Sequence, residues 1–288
     1  MSYEFIDTNE AFESNSFLPS EAMNFNGYFI EDLIDGYRTL SVSGREGLNT
    51  EINSLKISGK TGRWVSNTTL PERILTIEYQ LKANTPSELM GKWVALNQIL
   101  GVNDYGIPNE NVEIFFNDDK EMVYYGMKSD MNEPPRGKLE VKSTFTIFCS
   151  DGIKYSKTKA SDVVWGSEVI DFQAHYKLGN TGSGAFDKQV TSNSTIASYV
   201  EGRAVKPTIK LLGNGTNVKL TCNGKTINVG TFSNSNVVID TEMYVAYVNG
   251  AEKIIDMDDF WLMPNKNVTI TGSNMNFKLT IDYQNAFV

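Results

Sequence analysis

Alternating apolar and polar residues, interrupted by Asn-Gly pairs, are the feature that most restricts how this chain can fold. Residues 218–222 alternate in this way, Asn223-Gly224 follows, and the alternation then continues. An Asn-Gly pair between two alternating stretches is the strongest short-range signal for a β-hairpin. A second pair, Asn249-Gly250, lies between 244–248 and 251–255. The last part of the chain is therefore predicted to be an antiparallel β-sandwich of many short strands.

The first half of the sequence carries the same signal before a single clear helix. Leu75, Ile77, Tyr79 and Leu81 alternate with polar residues, which predicts a half-buried strand over 73–81.

The helix that follows has clear start and stop signals. Thr85-Pro86-Ser87-Glu88 reads as a capping box, with Thr85 as N-cap, Pro86 at the first helical position and Glu88 at the third. Gly101 is predicted to end the helix as the C′ residue. One face of the helix carries an apolar stripe made of Leu89, Trp93, Leu96 and Leu100.

Two further patterns complete the first half. Stretches 112–117 and 121–127 flank Asp118-Asp119-Lys120 and predict a β-hairpin, and residues 139–149 alternate along one long strand. The order is β-α-β-β-β, with one helix on an antiparallel sheet. We predict a mainly β protein of two domains: an α+β N-terminal domain over 1–155 and a C-terminal β-sandwich over 156–288.

Charge and composition exclude several classes of function. The 288 residues carry a net charge of −9, which disfavours binding that wraps nucleic-acid phosphates. No apolar run is long enough for a membrane span, and the acidic N-terminus lacks the pattern of a secretory signal. The two cysteines, Cys149 and Cys222, lack metal or redox spacing and are expected to be buried thiols.

No reactive group of residues is recognisable. His175 is the single histidine, so a catalytic triad would depend on one residue with no supporting pattern. Gly179–Gly184 lacks the lysine that a phosphate-binding loop needs, and Asp256–Asp259 lacks the spacing of a calcium loop. We assign no catalytic, cofactor-binding or metal-binding residue and expect no enzymatic activity.

Aromatic residues in the second half suggest an alternative function. Tyr247 and Trp261 could stack on sugar rings, as could Tyr244 and Phe260, although aromatic side chains on strands more often form the core. The alternative reading is thus a carbohydrate-binding adsorption protein that contacts the polysaccharide of a host cell wall.

The ordered pattern over residues 25 to 155 resembles the distal tail protein family of siphophages that infect Gram-positive bacteria. The C-terminal part is similar in kind to the galectin-like β-sandwich of that family, over 207–211, 238–240 and 277–283. The segments that carry the N-terminal resemblance are 44–48, 73–81, the helix with Trp93 and Leu96, 112–116, 124–126, Pro134-Pro135 and 145–155.

The resemblance implies a structural protein of the virion tail tip, made in the cytoplasm of the host bacterium. Proteins of this family form a homo-hexameric ring through their N-terminal domains at the end of the tail tube. The ring joins the major tail protein to a tail-associated lysin or spike protein, and in some phages the outer domains carry receptor-binding proteins. DNA passes through the central channel, and the acidic composition suits that passage.

We expect the ring contact at an exposed sheet edge near the Asp118 hairpin, because an open edge can pair with a neighbouring subunit. We also expect net negative charge on the lumen face. The candidate contact residues are Glu78, Gln80, Asp118, Asp119, Lys120 and Tyr124.

Overall fold

A computed structural model of the chain describes residues 18–103, 105–163 and 186–288. Regular structure in those residues is mainly antiparallel β, which confirms the predicted fold class. The two α-helices found there are α1 (Ile30–Leu33) and α2 (Pro86–Gly101). The strands in chain order are β1 (Met23–Phe25), β2 (Tyr28–Phe29), β3 (Tyr37–Ser43), β4 (Glu51–Leu55), β5 (Trp64–Thr69), β6 (Arg73–Lys82), β7 (Val112–Phe116), β8 (Asp119–Met131), β9 (Glu140–Cys149), β10 (Lys154–Ser156), β11 (Phe186–Val190), β12 (Ser194–Ala197), β13 (Thr208–Cys222), β14 (Lys225–Asp240), β15 (Val245–Val248), β16 (Ala251–Lys253), β17 (Asp256–Met257), β18 (Asn267–Asp282) and β19 (Ala286–Phe287).

The chain forms two compact units, and each is assembled from several stretches of sequence. The first unit comprises the described residues of 18–45, 75–119 and 127–147. The second comprises 46–74, 120–126 and the described residues from 148 onward. The division into domains at residues 155 and 156 stays a prediction.

The predicted alternating strand is confirmed as β6, since Leu75, Ile77, Tyr79 and Leu81 are all fully buried. The strand over 139–149 is confirmed as β9, whose inward-facing residues are likewise buried. Apolar side chains at every second position therefore determine which face of each strand packs inward.

The start of helix α2 is confirmed in atomic detail. Thr85 Oγ1 accepts a hydrogen bond from the backbone N–H of Glu88 at 3.1 Å, as an N-cap side chain does. The Glu88 carboxylate reaches back to the backbone N–H of Asn84 at 2.9 Å. In the apolar stripe the three leucines are buried, while Trp93 is half-buried.

The predicted end of the helix is wrong in one respect. Gly101 is the last helical residue rather than a left-handed C′ residue, and extended Val102 follows it with φ −138°. Val102 pairs with Pro108 in an isolated bridge, and the backbone N–H of Asn103 donates to the Ile107 carbonyl at 2.8 Å. The left-handed residue of this turn is therefore Gly106, with φ 72°, whose backbone N–H donates to the Asn103 carbonyl at 2.9 Å, and not Gly101.

The predicted hairpin is confirmed as β7 and β8, but its expected place at an exposed sheet edge is wrong. The sheet runs in the order β2-β1-β7-β8-β9-β6-β3, which puts both hairpin strands inside it. Strand β1 covers the outer side of β7, with Met23 opposite Phe116 and Phe25 opposite Ile114. A three-residue strand such as β1 is too short to give an alternation signal in the sequence.

The second sheet runs in the order β11-β18-β13-β14-β15-β16 and lies wholly in the second unit. Both predicted Asn-Gly turns are confirmed: Asn223-Gly224 joins β13 to β14, and Asn249-Gly250 joins β15 to β16. All four residues have positive φ, between 48° and 83°, as a type I′ turn requires.

Several stretches predicted as separate strands belong to long bent strands. Residues 208–211 of the 207–211 stretch and residues 218–222 are parts of β13, and residues 277–282 of the 277–283 stretch lie in β18. Gly213 and Asn217, with φ 139° and 50°, lie between the two parts of β13, where its pairing shifts register. Left-handed residues of this kind bend a strand without ending it.

Candidate functional site

The β4–β5 hairpin is the most exposed apolar element in the described chain. It forms a two-stranded sheet of its own, with Leu55 directly opposite Trp64. The exposed fractions are 59% for Ile52, 64% for Leu55, 60% for Trp64 and 52% for Val65. An isolated two-stranded hairpin is at best marginally stable in water. Exposed apolar side chains grouped on such an element mark a surface for a protein partner.

The two predicted ring residues on β6, Glu78 and Gln80, already form side-chain hydrogen bonds within the first unit. Glu78 is exposed and accepts a hydrogen bond from Ser41 Oγ of β3 at 3.1 Å. Gln80 donates to the carboxylate of Glu140 on β9. Strand β6 lies between those two strands, so its backbone is already paired on both sides.

Of the three predicted ring residues at the hairpin turn, one forms an ion pair and one is half-buried. Asp118 forms a 2.8 Å ion pair with Arg45, whose guanidinium also lies 4.6 Å from the centre of the Phe116 ring. Asp119 is half-buried and begins β8, whereas Lys120 is exposed. Of these three predicted contacts, Lys120 is therefore the most accessible to another molecule.

Tyr124 does not have the exposure that a ring contact needs. Its side chain is 1% exposed, and the Arg73 guanidinium lies 5.7 Å from its ring centre. Arg73 is buried as well and donates from Nε to the Gly152 carbonyl at 3.1 Å. A side chain this buried is not accessible to a neighbouring subunit; Val123, the residue before it on β8, is fully buried as well.

At the sheet edge formed by β3, glutamate carboxylates accept hydrogen bonds from backbone N–H groups. The backbone N–H of Thr39 donates to Glu31 Oε1 at 2.9 Å, and that of Val42 donates to Glu21 Oε2 at 2.5 Å. Backbone donors that are bound to side chains cannot pair with an added strand. This edge is therefore poorly suited to strand addition by another subunit.

A second candidate surface, which we name the aromatic cluster, consists of Lys206, Tyr244, Asp259 and Trp261. The Lys206 ammonium lies 4.6 Å from the ring centre of Tyr244 and 5.0 Å from that of Trp261. Lys206 Nζ is also 3.5 Å from Asp259 Oδ1, and the Tyr244 hydroxyl donates to the same carboxylate. The cluster thus places two aromatic rings beside one ion pair.

The charges of the aromatic cluster stabilise each other. Hydrogen bonds from Tyr244 and Trp261, together with the nearby Lys206 ammonium, lower the pKa of Asp259. Burial on its own would lower the pKa of Lys206, but its hydrogen bond to Tyr244 and the charges of Glu242 and Asp259 outweigh burial and raise that pKa. Both groups are therefore charged at neutral pH.

Tyr244 adopts a backbone conformation that its residue type disfavours. Nine non-glycine residues in the described part of the chain have positive φ, and the other eight are all asparagine. Tyr244 has φ 54°, a left-handed conformation that costs a residue with a Cβ about 1–2 kcal/mol. Its bonds to Lys206 and Asp259 hold it there while half of its side chain remains exposed.

The two residues predicted to contact sugar lie in different settings. Trp261 is half-buried and belongs to the aromatic cluster. Tyr247 is 38% exposed on β15, opposite Val238 of β14 and Glu252 of β16. The structure thus joins Trp261 to Tyr244 through Lys206.

The other groups considered from the sequence lie apart from any reactive arrangement in the described residues. Asp256 accepts from Asn228 at 2.6 Å and Asp258 from the backbone N–H of Thr226 at 2.8 Å, so these carboxylates and Asp259 serve three separate partners. His175 and Gly179–Gly184 fall outside the described residues.

The two cysteines are confirmed as buried free thiols. Burial raises the pKa of Cys149 to about 12 and also raises that of Cys222, so neither forms a nucleophilic thiolate at neutral pH. Across the ranges that the structure describes, no group of three or more histidine, cysteine or acidic residues is placed to hold a metal ion. No helix in those ranges has the length and apolar character to span a membrane.

Comparisons with known proteins relate most of the chain to a phage tail protein. No protein-family model matches the chain. The distal tail protein of Bacillus phage SPP1 is 25% identical over 248 residues, which cover 84% of this chain and 88% of that protein.

The likeness extends to the solved fold. The crystal structure of SPP1 Dit, described as a paradigm of the hub adsorption apparatus in phages that infect Gram-positive bacteria, superposes with a TM-score of 0.68. The match covers 93% of this chain and 99% of that one, at 18% identity. The sequence relationship and the shared fold together support the resemblance, seen in the sequence pattern, to the distal tail protein family of siphophages that infect Gram-positive bacteria.

Proposed function

We propose that this chain is a structural protein of the virion tail and forms the hub ring at the distal end of the tail tube. Its similarity to the distal tail protein of Bacillus phage SPP1 supports a role in the tail hub. The proposed ring is a homo-hexamer, so each copy presents one surface to a different surface of the next copy. The finer parts of the proposal concern the ring contact, the partners and the channel.

The observation that carries the proposal is the exposure of the β4–β5 hairpin. Trp64 is 60% exposed, and an aromatic side chain of this kind buries about 200 Å² when fully covered. Covering the exposed part removes about 120 Å² from water, worth about 3 kcal/mol at about 25 cal/mol per Å². Leu55 beside it adds a second apolar contact. This hairpin therefore replaces the Asp118 hairpin as the proposed ring contact.

The proposed partners follow from the place of such a hub in a tail. One side of the ring binds the major tail protein of the tube, and the other binds a tail-associated lysin or spike protein. The outer domains, proposed to be galectin-like sandwiches, are available to receptor-binding proteins. DNA crosses the central channel only in transit, and the net charge of −9 would limit its adhesion to the wall.

The proposed role requires no chemistry of the chain's own. One cavity of about 560 Å³ lies in the second unit, lined by Glu121, Glu201, Ser156 and Asn285 among others. Ser156 Oγ is already engaged there, because it donates to the Thr158 carbonyl at 3.0 Å and accepts from the backbone N–H of Asn285. A serine held in this way is not positioned as a nucleophile.

Native mass spectrometry and electron microscopy of the purified chain test the ring. We expect a hexamer in the wild type and a shift to monomer when Leu55 and Trp64 are both changed to Ser, because the hairpin loses its apolar contacts. Ile254→Ser is the matched control, since Ile254 is 95% exposed but lies outside the hairpin. Circular dichroism verifies that each variant is folded.

Two results would contradict the proposal. One is a wild-type chain that stays monomeric at high concentration, both alone and with the tail-tube protein. The other is a hexamer that persists unchanged in the Leu55→Ser/Trp64→Ser variant, which would place the ring contact elsewhere.

A further inference from the structure

We infer that the second unit carries a binding site for a neutral pyranose of a surface glycan, formed by Tyr244 and Trp261 beside Lys206 and Asp259. This goes beyond the hub role and does not depend on the ring. All four residues lie in the second unit, and their contacts are made within it.

Exposed aromatic rings supply the apolar part of the site. Tyr244 is 50% exposed, and Met243 next to it in the same turn is 73% exposed. The C–H face of a pyranose packs against an aromatic ring, whose polar tip can remain hydrated. One side of the Tyr244 ring faces the Lys206 ammonium, so the exposed part of the side chain is left to contact a ligand.

The residue type at position 244 points to a requirement for the ring. Every other non-glycine residue with positive φ in the described chain is asparagine, including Asn249 on the same sheet. Asparagine would fit the backbone at 244 better than tyrosine. A bulky residue held in a disfavoured conformation is associated with functional sites, where the side chain is needed for more than folding.

The ion pair supplies the polar part of the site. The Asp259 carboxylate, whose side chain is 52% exposed, offers acceptor lone pairs to the hydroxyl groups of a sugar ring, while the largely buried Lys206 holds that carboxylate in place. Asp259 also orients both rings, because Tyr244 and Trp261 each hydrogen-bond to it. The side chains are therefore already positioned before a ligand arrives, which reduces the entropy cost of binding.

The local charge selects a neutral sugar over an anionic polymer. Glu242 and Asp259 carry two negative charges near the single positive charge of Lys206. A phosphodiester or uronic-acid polymer would meet net repulsion at this position. A neutral hexopyranose meets none.

Fluorine NMR of the full chain labelled with 5-fluorotryptophan tests the site. The Trp261 resonance, assigned with Trp261→Phe, is followed during titration with the methyl glycosides of glucose, galactose and N-acetylglucosamine. Poly(glycerol phosphate) serves as the anionic probe. We expect a saturable shift of the Trp261 resonance with at least one of the neutral glycosides and none with the anionic polymer.

Tyr244→Asn is the decisive variant, because asparagine suits the left-handed backbone and the protein should fold. We expect its affinity for the neutral glycoside to fall at least tenfold, whereas Tyr105→Asn, at an 88% exposed tyrosine of the first unit, leaves affinity unchanged. The inference is overturned if no neutral glycoside shifts Trp261, if only the anionic polymer does, or if Tyr244→Asn binds as well as wild type. Ring assembly is measured separately by native mass spectrometry, so the two proposals can fail independently.

Discussion

Two leucines of strand β13 provide a direct test of how the second unit is built. Leu220 is fully buried and pairs with Ile227 and Ile270, whereas Leu212 is 57% exposed. The two positions are eight residues apart, so a regular strand would place both side chains on one face. Register shifts between Gly213 and Lys219 place one inside and the other outside.

The structure predicts very different costs for the same Leu→Ala change at these two positions. Truncating a fully buried leucine removes transfer free energy and leaves a cavity, which costs about 3 kcal/mol within a range of about 2–5. At Leu212, which is opposite Asn236 and Lys278, the change costs no more than about 0.5 kcal/mol.

Urea unfolding followed by circular dichroism measures the difference. With a slope of about 2 kcal/mol per molar urea, Leu220→Ala lowers the unfolding midpoint by about 1.5 M, and Leu212→Ala shifts it by about 0.25 M or less. Amide hydrogen exchange along β13 shows whether the loss is confined to the second unit.

Equal midpoint shifts for the two variants would refute the reasoning. That result would mean that the strand runs without the bulges, and that both leucines occupy the same face. A larger loss at Leu212 would mean that the register is displaced by one residue, since such a slip exchanges the two faces of a strand.

Changes at three further positions test the helix cap, the pH dependence of that cap and a close backbone contact. Thr85→Ala should lower stability by about 1 kcal/mol, and Thr85→Ser should retain most of it, as measured by urea unfolding. Hydrogen bonds from Lys92 and the Asn84 backbone lower the pKa of Glu88, so its stabilising contribution is present above the unfolded pKa near 4.5 and is lost as pH falls through the lower folded pKa. Glu88→Gln should flatten that part of the plot of unfolding free energy against pH. An unchanged plot would contradict this assignment. Gly202→Ala should lower the free energy of unfolding by more than about 1 kcal/mol, seen as a lower melting temperature, because Gly202 has φ 74° and the new Cβ would meet the Ala286 carbonyl oxygen. A tolerated alanine would disprove the close approach.

Local signals in the sequence were sufficient for the separate elements. The capping box at Thr85 and Glu88 specifies the start of α2 because the hydrogen bonds involved span only a few residues. The Asn-Gly pairs specify two hairpin turns because only a few residue types adopt positive φ at both positions. The resemblance to the distal tail protein family was also recognisable from the sequence, because the order of these elements is itself a long pattern.

Non-local pairing was the part that sequence patterns missed. No sequence pattern indicated that β1 covers the β7–β8 hairpin, which changed an expected edge into the middle of a sheet. The exposed β4–β5 hairpin was also missed, although its Leu55 and Trp64 lie in short apolar stretches that could have indicated strands. Tyr124 was assigned to a surface that its burial does not allow.

The sequence by itself determined the fold class, the helix boundaries near Thr85 and the alternating faces of individual strands, because these depend on neighbours a few residues apart. Only the tertiary structure decided which hairpin is exposed, and which distant residues surround Lys206. Tyr244 and Asp259 are 38 and 53 residues from Lys206. Contacts over such separations depend on how strands from distant segments pair and bend, and no periodicity along the chain records that.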